Sequence, residues 1–210
     1  MRRTEPPATK RADIWFDPSC PYTWITSRWL LEAARVRGFE IGWHVLSLSV
    51  LNEHRDDDPE GDPEGYLWLP VRICAAVAER HGQEALGRYY TALGTRVHEA
   101  GTWDPRIVPD ALAEAGLPGD LAQAAETDAW DAAVRASHAE GIAKVGDHVG
   151  TPIIEATAGD GARTAFFGPV VSRIPRGEEA GRLWDGTVLV SAVGGFHELK
   201  GAPHAEPDYR

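Results

Sequence analysis

Residues 17–24, with the sequence Asp-Pro-Ser-Cys-Pro-Tyr-Thr-Trp, place a cysteine directly before a proline. A β-branched and aromatic run precedes Cys20 and predicts a buried strand, whereas the residues after it show helical spacing up to Gly38. Because proline is favoured at the first helical position, Pro21 marks the helix start. Free N–H groups and the helix dipole stabilise a thiolate there, so we expect a nucleophilic Cys20 with a pKa below the ~8.5 of a free thiol. The alternative is a buried cysteine that packs as a small hydrophobic residue.

The composition limits the class of protein. The chain has 210 residues, of which 43% are hydrophobic and 25% are charged, as in ordinary globular proteins. Its net charge of −11 argues against nucleic acid and anionic membranes as partners. Residues 1–11 lack the apolar run of a signal peptide, and no run approaches the ~18 residues of a membrane span. With only two cysteines, a disulfide framework is excluded, and we expect a cytoplasmic protein.

The hydrophobic pattern predicts the elements that position Cys20. A strand over residues 12–16, the cysteine helix and a strand over 40–46 form a βαβ unit with parallel strands. The loop at 47–52 then leaves the carboxyl edge of the sheet, where Asn52 either bonds a ligand or caps the loop. The acidic stretch that follows, 53–65, is typical of an exposed loop.

The second half of the chain changes from helices to strands and back. Within residues 66–146 the pattern is helical, and an apolar helix there makes Cys74 a core residue. The predicted helices cover 70–81, 84–99, 106–115 and 120–126, followed by a long one that Thr127 caps. Later elements are strands at 151–156 and 163–167, a helix from Pro175 and a loose tail at 200–210.

This order of elements resembles the DsbA-like branch of the thioredoxin superfamily, an α/β fold with an all-helical domain inserted between its βαβ and ββα halves. The resemblance implies a thioredoxin-like domain over 12–57 and 147–199, a helical insertion over 58–146, and tails at 1–11 and 200–210. It also implies that Thr151-Pro152 is the cis-proline turn of the family, which lies beside the active cysteine and positions the thiol partner.

Within that branch the chain is most similar to the actinobacterial mycothiol-dependent nitroreductases. This resemblance implies that the low-molecular-weight thiol mycothiol, or a similar thiol, is the co-substrate and reductant. A small electrophilic or nitro compound would be the substrate, and a second copy of the chain is a candidate partner. The matching pieces are Trp15-Phe16-Asp17-Pro18, Cys20-Pro21, residues 24–29, His44-Val45, Ser47-Leu48, residues 51–53, 149–152, 166–170 and 172–181.

One position departs from the family pattern. Relatives carry Cys-Pro-Trp-Cys, whereas this chain has Cys20-Pro21-Tyr22-Thr23. Because Thr23 cannot resolve a mixed disulfide, we expect monothiol chemistry, in which a second thiol from solution releases Cys20. Thr23 either tunes the thiolate through its hydroxyl or is a plain helix residue.

The same departure brings other functions into consideration. Kappa-class glutathione transferases and hydroxychromene-carboxylate isomerases carry a similar string with serine in place of Cys20. Such an enzyme would use a bound thiol cofactor without net redox change. A non-catalytic ligand-binding relative is the third reading.

The remaining candidate side chains concern the cleft around Cys20. Tyr22 is expected to face the cleft and Trp24 to pack inward, and both are assigned to thiol or substrate binding. His98 and His138 face either the cleft or the core, and Arg173 with Arg176 either meets a ligand carboxylate or is solvated. The scattered histidines show no metal spacing, the Asp56-Asp57-Asp58 run is typical of a solvated turn, and no flavin or nicotinamide fingerprint is present.

Overall fold

A four-stranded mixed sheet forms the centre of the protein. The computed structural model describes residues 8–57 and 59–210, so most of the predicted N-terminal tail (residues 1–7) and Asp58 of the predicted solvated turn lie outside the described residues. The strand order is β2-β1-β3-β4; β1 pairs parallel with β2, and β3 pairs antiparallel with β1 and β4. The strands are β1 (Thr9–Phe16), β2 (Glu40–Val45), β3 (Ile153–Ala158) and β4 (Arg163–Phe167). This is the thioredoxin arrangement that the element order predicts.

Six α-helices surround this sheet in the described residues. A π-helical turn at Thr95–Glu99 and two 3-10 segments, at Gly119–Glu126 and Asp128–Trp130, complete the helical part. The helices are α1 (Pro21–Arg37), α2 (Leu48–Asn52), α3 (Trp68–Gly94), α4 (Ile107–Glu114), α5 (Asp131–Val145) and α6 (Gly177–Ser191). None of them is long and apolar enough to cross a membrane.

Alternate residues of β1 point to opposite faces of the sheet, and each face has its own cover. Ile14 and Phe16 belong to the main core, where Phe16 stacks on Tyr90 of α3 with the ring centroids 3.9 Å apart. Trp15 faces α5, which approaches so closely that a Cβ on Gly141 would lie 2.8 Å from the Trp15 ring. Hence the helical insertion packs on both sides of the strand that leads to Cys20.

The α1 helix is fixed to α6 through buried tryptophans. The indole N–H of Trp29 donates to the Ala180 carbonyl oxygen over 3.1 Å, and the Trp29 and Trp184 rings are 6.0 Å apart. Cys74 is 0% exposed on α3, which confirms its prediction as a core residue.

The break predicted at Gly82 is confirmed, because φ 83° and ψ 172° there kink α3 and divide it into two helical stretches. Two other predicted boundaries are wrong for local reasons. Residues 48–52 form α2 rather than a loop, because the Ser47 hydroxyl accepts the Val50 N–H and caps the turn. Strand β1 begins at Thr9, so residues 9–11 are ordered by pairing.

The last residues of the chain differ from the loose tail that was predicted. The N–H of Asp208 donates to the Ser172 carbonyl oxygen over 2.7 Å, and Arg173 and Asp208 form a parallel bridge. Residues 204–209 therefore dock on the loop between β4 and α6. The predicted division into two domains at 57/58 and 146/147 stays a prediction.

Candidate functional site

Cys20 occupies the N-cap of α1, as the Cys-Pro pair predicts. Its backbone is extended, with φ −79° and ψ 117°, and Pro21 takes the first helical position. The Cys20 carbonyl oxygen accepts the Trp24 N–H over 3.0 Å, which closes the first turn. The side chain is half-buried. The sulfur therefore lies where the chain passes from β1 into the helix.

The prediction that this position lowers the pKa of the Cys20 thiol is wrong for the structure described here. Burial raises the pKa above that of a free thiol, and the nearby Asp17 carboxylate raises it further. The Thr23 hydroxyl, together with the N–H groups of Thr23 and Tyr22, lowers it, but by less. A helix N-terminus contributes only about 0.3–1 kcal/mol in exposed settings, so removal of water from the thiolate outweighs it.

Asp17 is a site residue that the sequence analysis missed. Its side chain is 0% exposed, and its two carboxylate oxygens accept the N–H groups of Ser19 and Leu48, each over 2.8 Å. Burial raises the pKa of this carboxyl to about 6. Asp17 thus holds the cysteine loop to the start of α2 and places a negative charge near the sulfur.

The Thr151–Pro152 peptide bond is cis, as the resemblance implies. The Thr151 hydroxyl oxygen accepts the Asp17 N–H over 3.1 Å and the Thr23 hydroxyl over 3.2 Å. These contacts bring the turn before β3 against the first turn of α1, although 128 residues separate Thr23 from Thr151. The two halves of the predicted site therefore meet.

Thr23 has one hydroxyl proton and two acceptors for it. In the structure it donates to Thr151, while the same hydroxyl lowers the pKa of Cys20. The Thr151 hydroxyl lies 3.4 Å from the Trp15 carbonyl oxygen, to which it can donate its own proton. Thr23 is 0% exposed, so no water competes for this proton. A plain helix residue would not show this bonding.

Two buried histidines from the helical insertion hold the loops of the site. His98 Nε2 lies 2.9 Å from the Pro18 carbonyl oxygen, and burial lowers the pKa of His98 to about 4, so the neutral ring donates this hydrogen bond. His138 Nδ1 accepts the Ser47 N–H over 3.4 Å, and burial lowers its pKa too. The sequence analysis left open whether these two histidines face the cleft or the core. In the structure both are core residues that hold the loops of the cleft in place.

Trp24 packs inward as predicted and is 0% exposed. Its ring stacks on that of His98, with the centroids 5.7 Å apart. Because it has no exposed surface, Trp24 cannot contact a thiol or substrate in this state. Trp24 therefore supports the predicted binding site from the protein interior.

Tyr22 contacts the last residues of the chain. Its hydroxyl donates to the Ala205 carbonyl oxygen over 3.2 Å, and its ring centroid lies 5.3 Å from that of His204. No local sequence signal indicated this pairing, because 183 residues separate Tyr22 from Ala205.

The other predicted binding residues lie apart from this cluster. The Asn52 amide donates to Glu60 over 3.2 Å at the surface. Arg173 pairs with Glu179, and Arg176 lies 3.9 Å from Glu32, so both arginines are surface ion-pair members. In the described part of the chain, no three His, Cys, Asp or Glu side chains gather as metal ligands would.

The arrangement offers one sulfur nucleophile. Cys74, the second free thiol, is fully buried in α3, where burial raises its pKa strongly. Cys20 is surrounded instead by the polar groups of Asp17, Thr23 and Thr151, at the junction of three loops. Chemistry at this place would run through a single thiol.

The fold and this cysteine site define a thiol oxidoreductase of the DsbA-like type, an enzyme with a thioredoxin-fold core. A family model described as "Rv2466c-like: Mycothiol-dependent nitroreductase Rv2466c" matches residues 19–201. The match covers most of the chain, and the chain belongs to this Rv2466c-like family.

Known proteins are similar to the chain in sequence or in fold. The Mycobacterium tuberculosis protein Rv2286c, described as uncharacterized, is 28% identical over 192 residues, which cover 90% of this chain and 80% of that protein. The cytosolic disulfide reductase DsbM from Pseudomonas aeruginosa, solved with GSH, has a TM-score of 0.55 at 14% identity, covering 85% of this chain and 99% of its own. The probable DsbA oxidoreductase SCO1869 from Streptomyces coelicolor has a TM-score of 0.54 at 17% identity, covering 91% and 93%. These two structures share the fold.

Proposed function

We propose that this enzyme reduces small electrophilic or nitro compounds with electrons from mycothiol or a similar low-molecular-weight thiol. Cys20 would act alone, through a mixed disulfide with the small thiol. The observation that carries the proposal is the position of Cys20 at the N-cap of α1, with Thr23 bonded to Thr151 where relatives have a second cysteine. Family membership supports the identity of the thiol.

The proposed cycle transfers two electrons from two small thiols to the nitro group. The Cys20 thiol and one small thiol give up two electrons and form one S–S bond between them. The nitro group accepts two electrons and two protons, loses one oxygen as water and becomes a nitroso group. A second small thiol then attacks the mixed disulfide, releases Cys20 and leaves as the symmetrical disulfide.

The residues around Cys20 have distinct proposed roles in this cycle. Pro21 fixes the start of α1, and Thr23 turns its hydroxyl from Thr151 to Cys20 when the thiolate forms. The backbone of Thr151, held by the cis turn at Pro152, would pair with the incoming thiol. A solved neighbour of the same fold holds GSH, which supports a small thiol as partner.

Tyr22 and Asn52 are proposed to contact the bound thiol or substrate. Tyr22 lies at the mouth of the site, and Asn52 ends α2, which Asp17 fixes through Leu48. A cytoplasmic location and pairing with a second copy of the chain stay predictions. Measuring the molecular mass in solution by sedimentation would test the pairing with a second copy of the chain.

The experiment is turnover of a nitro compound in the presence of mycothiol. We expect consumption that depends on the thiol, needs no flavin or nicotinamide and is lost in Cys20→Ser. Cys74→Ala is the matched control and should keep the activity, because Cys74 is fully buried. Thiol-dependent turnover that survives in Cys20→Ser would contradict the proposal.

A thiol transferase or isomerase is the second candidate. It is favoured by one observation, namely that the raised pKa keeps the Cys20 thiol protonated and able to donate a hydrogen bond, as a serine hydroxyl would. In that case Cys20→Ser would keep thiol-dependent conjugation or isomerisation without forming disulfide. Binding of the thiol without any turnover would indicate the non-catalytic reading.

A further inference from the structure

We propose that residues 204–209 form a strap that narrows the access to the half-buried Cys20, and that thiols and substrates reach the sulfur faster when the strap moves away. The strap concerns access to the sulfur, so it goes beyond the proposed function and stands independently of which reaction follows.

One side of the strap is anchored to Ser172, in the loop between β4 and α6. The N–H of Asp208 donates to the Ser172 carbonyl oxygen over 2.7 Å, and the N–H of Ala205 donates to the Ser172 hydroxyl over 3.2 Å. The same loop is fixed to α1, because the Thr26 hydroxyl donates to the Pro169 carbonyl oxygen over 2.9 Å. This anchor is therefore part of the rigid frame of the site.

The other side of the strap contacts the first turn of α1. The Ala205 carbonyl oxygen accepts the Tyr22 hydroxyl over 3.2 Å, while the N–H of the same residue bonds Ser172. Ala205 thus links Ser172, in the loop between β4 and α6, to Tyr22, in the first turn of α1. Tyr22 follows Cys20 by two positions, so this connection runs next to the sulfur.

Tyr209 fills the space beside the cysteine loop. Its half-buried ring packs against the main core, and the ring centroid is 6.4 Å from that of His98, which bonds Pro18. Burial raises the pKa of the Tyr209 phenol, and Tyr22 and Cys20 raise it further. With His204 beside Tyr22 and Tyr209 beside His98, the strap lies against residues on both sides of the cysteine loop.

The strap is built to open at low cost. Three hydrogen bonds hold residues 205 and 208, and residues 192–206 are exposed along their whole length. Segments with few buried contacts open far below the free energy of global unfolding. Because Cys20 has less cover in the open molecules, weakening the closed state raises the apparent reactivity of Cys20.

The test compares iodoacetamide alkylation of Cys20 in the full chain and in the double variant Ser172→Ala/Tyr209→Ala, with each cysteine quantified by peptide mass spectrometry. Ser172→Ala removes one anchor bond and Tyr209→Ala removes the ring. We expect alkylation of Cys20 to rise by about tenfold or more. Leu199→Ala is the matched control: this side chain is 80% exposed and leads into the strap, and the rate should stay unchanged.

Cys74 reports whether the double variant is folded, since it reacts only when the core opens. A chain that ends at Ala202, and so lacks the strap, is the second variant. Its Cys20 alkylation rate replaces that of the double variant if Cys74 becomes reactive in the double variant. Unchanged Cys20 rates in a variant whose Cys74 stays protected would overturn the proposal. Alkylation needs neither mycothiol nor a nitro compound, so failure of the strap and failure of the proposed function are distinguishable.

Discussion

The two cysteines of the chain differ both in burial and in surroundings, since Cys20 is half-buried and Cys74 is fully buried. Burial raises the pKa of both thiols. Cys74 lies inside α3 within the apolar core, whereas Cys20 lies at the end of a helix among hydrogen-bonded loops. Residues in a packed helical core are exposed through opening of the core, whereas loops can open at lower free energy. We therefore expect the loops around Cys20 to control its reactivity.

The polar groups around Cys20 form one connected network. Asp17 bonds Ser19 and Leu48 through its carboxylate and Thr151 through its N–H, and Thr151 in turn bonds Thr23. Such networks can change the ionisation of a neighbour by shifting one proton.

The largest effect is expected from the cysteines themselves. In the folded protein, alkylation of Cys20 should exceed that of Cys74 by at least about a hundredfold, because Cys74 reacts only through core opening. Peptide mapping at intermediate times measures both rates in one sample. Similar alkylation rates at Cys20 and Cys74 would show that the loops around Cys20 give it no more access to the reagent than the core gives Cys74.

Asp17→Asn should change how stability depends on pH. The folded-state pKa of Asp17 is about 6, above the ~3.9 of an unfolded aspartate, so its protonated form favours the folded state. This contribution is fully present below pH ~3.9 and is lost as pH rises through about 6, a change of roughly 3 kcal/mol. Urea unfolding at pH 4–7 measures it.

The difference between the parent protein and Asp17→Asn isolates this group. His98 acts with the opposite sign in the same pH range, since its lowered pKa, about 4, costs stability as pH falls below ~6.5. His98 is present in both proteins, so its contribution cancels. A difference in unfolding free energy that does not vary with pH would refute the assignment to Asp17.

Thr23→Val should have a smaller effect. The substitution keeps the shape of the side chain but removes the hydroxyl, which donates a hydrogen bond to Thr151 and lowers the pKa of Cys20. We expect a loss of about 1 kcal/mol in unfolding free energy and a further rise of the Cys20 pKa. The pH profile of Cys20 alkylation measures the second, and Thr23→Ser should restore it. An unchanged profile would show that Thr23 does not act on the sulfur.

The smallest effect is expected from Asn52→Ala. Asn52 bonds only Glu60 among the described residues and lies at the surface, so unfolding free energy and Cys20 alkylation should both stay within error. If Asn52 contacts the bound thiol as proposed, the Michaelis constant for mycothiol rises severalfold. An altered rate of Cys20 alkylation in this variant would mean that Asn52 also helps to position the sulfur.

Local signals predicted the part of the site that lies within one stretch of sequence. A strand, a Cys-Pro pair and a glycine-terminated helix are neighbours in the chain, so Cys20 and α1 could be predicted from residues 12–38. The cis turn at Thr151 was accessible only through the family resemblance, because sequence alone does not distinguish it from an ordinary X–Pro bond.

The remaining site residues act through contacts between distant parts of the chain. His98 bonds Pro18 across 80 residues, and Tyr22 bonds Ala205 across 183. An isolated histidine on a helix, or a polar stretch after the last helix, carries no sign of such a partner. The lowered pKa predicted for Cys20 is wrong because burial of the sulfur, which the helix-start pattern does not reveal, outweighs the hydrogen bonds from Thr23 and Tyr22.

The most direct test of the account is intact-mass analysis after incubation with the symmetrical disulfide of mycothiol. We expect a single adduct of one mycothiol per chain, located at Cys20 by peptide mapping and released by added mycothiol. Cys74 should carry none. An unmodified chain, or an adduct at Cys74 in the folded protein, would contradict the assignment of Cys20 as the reacting sulfur.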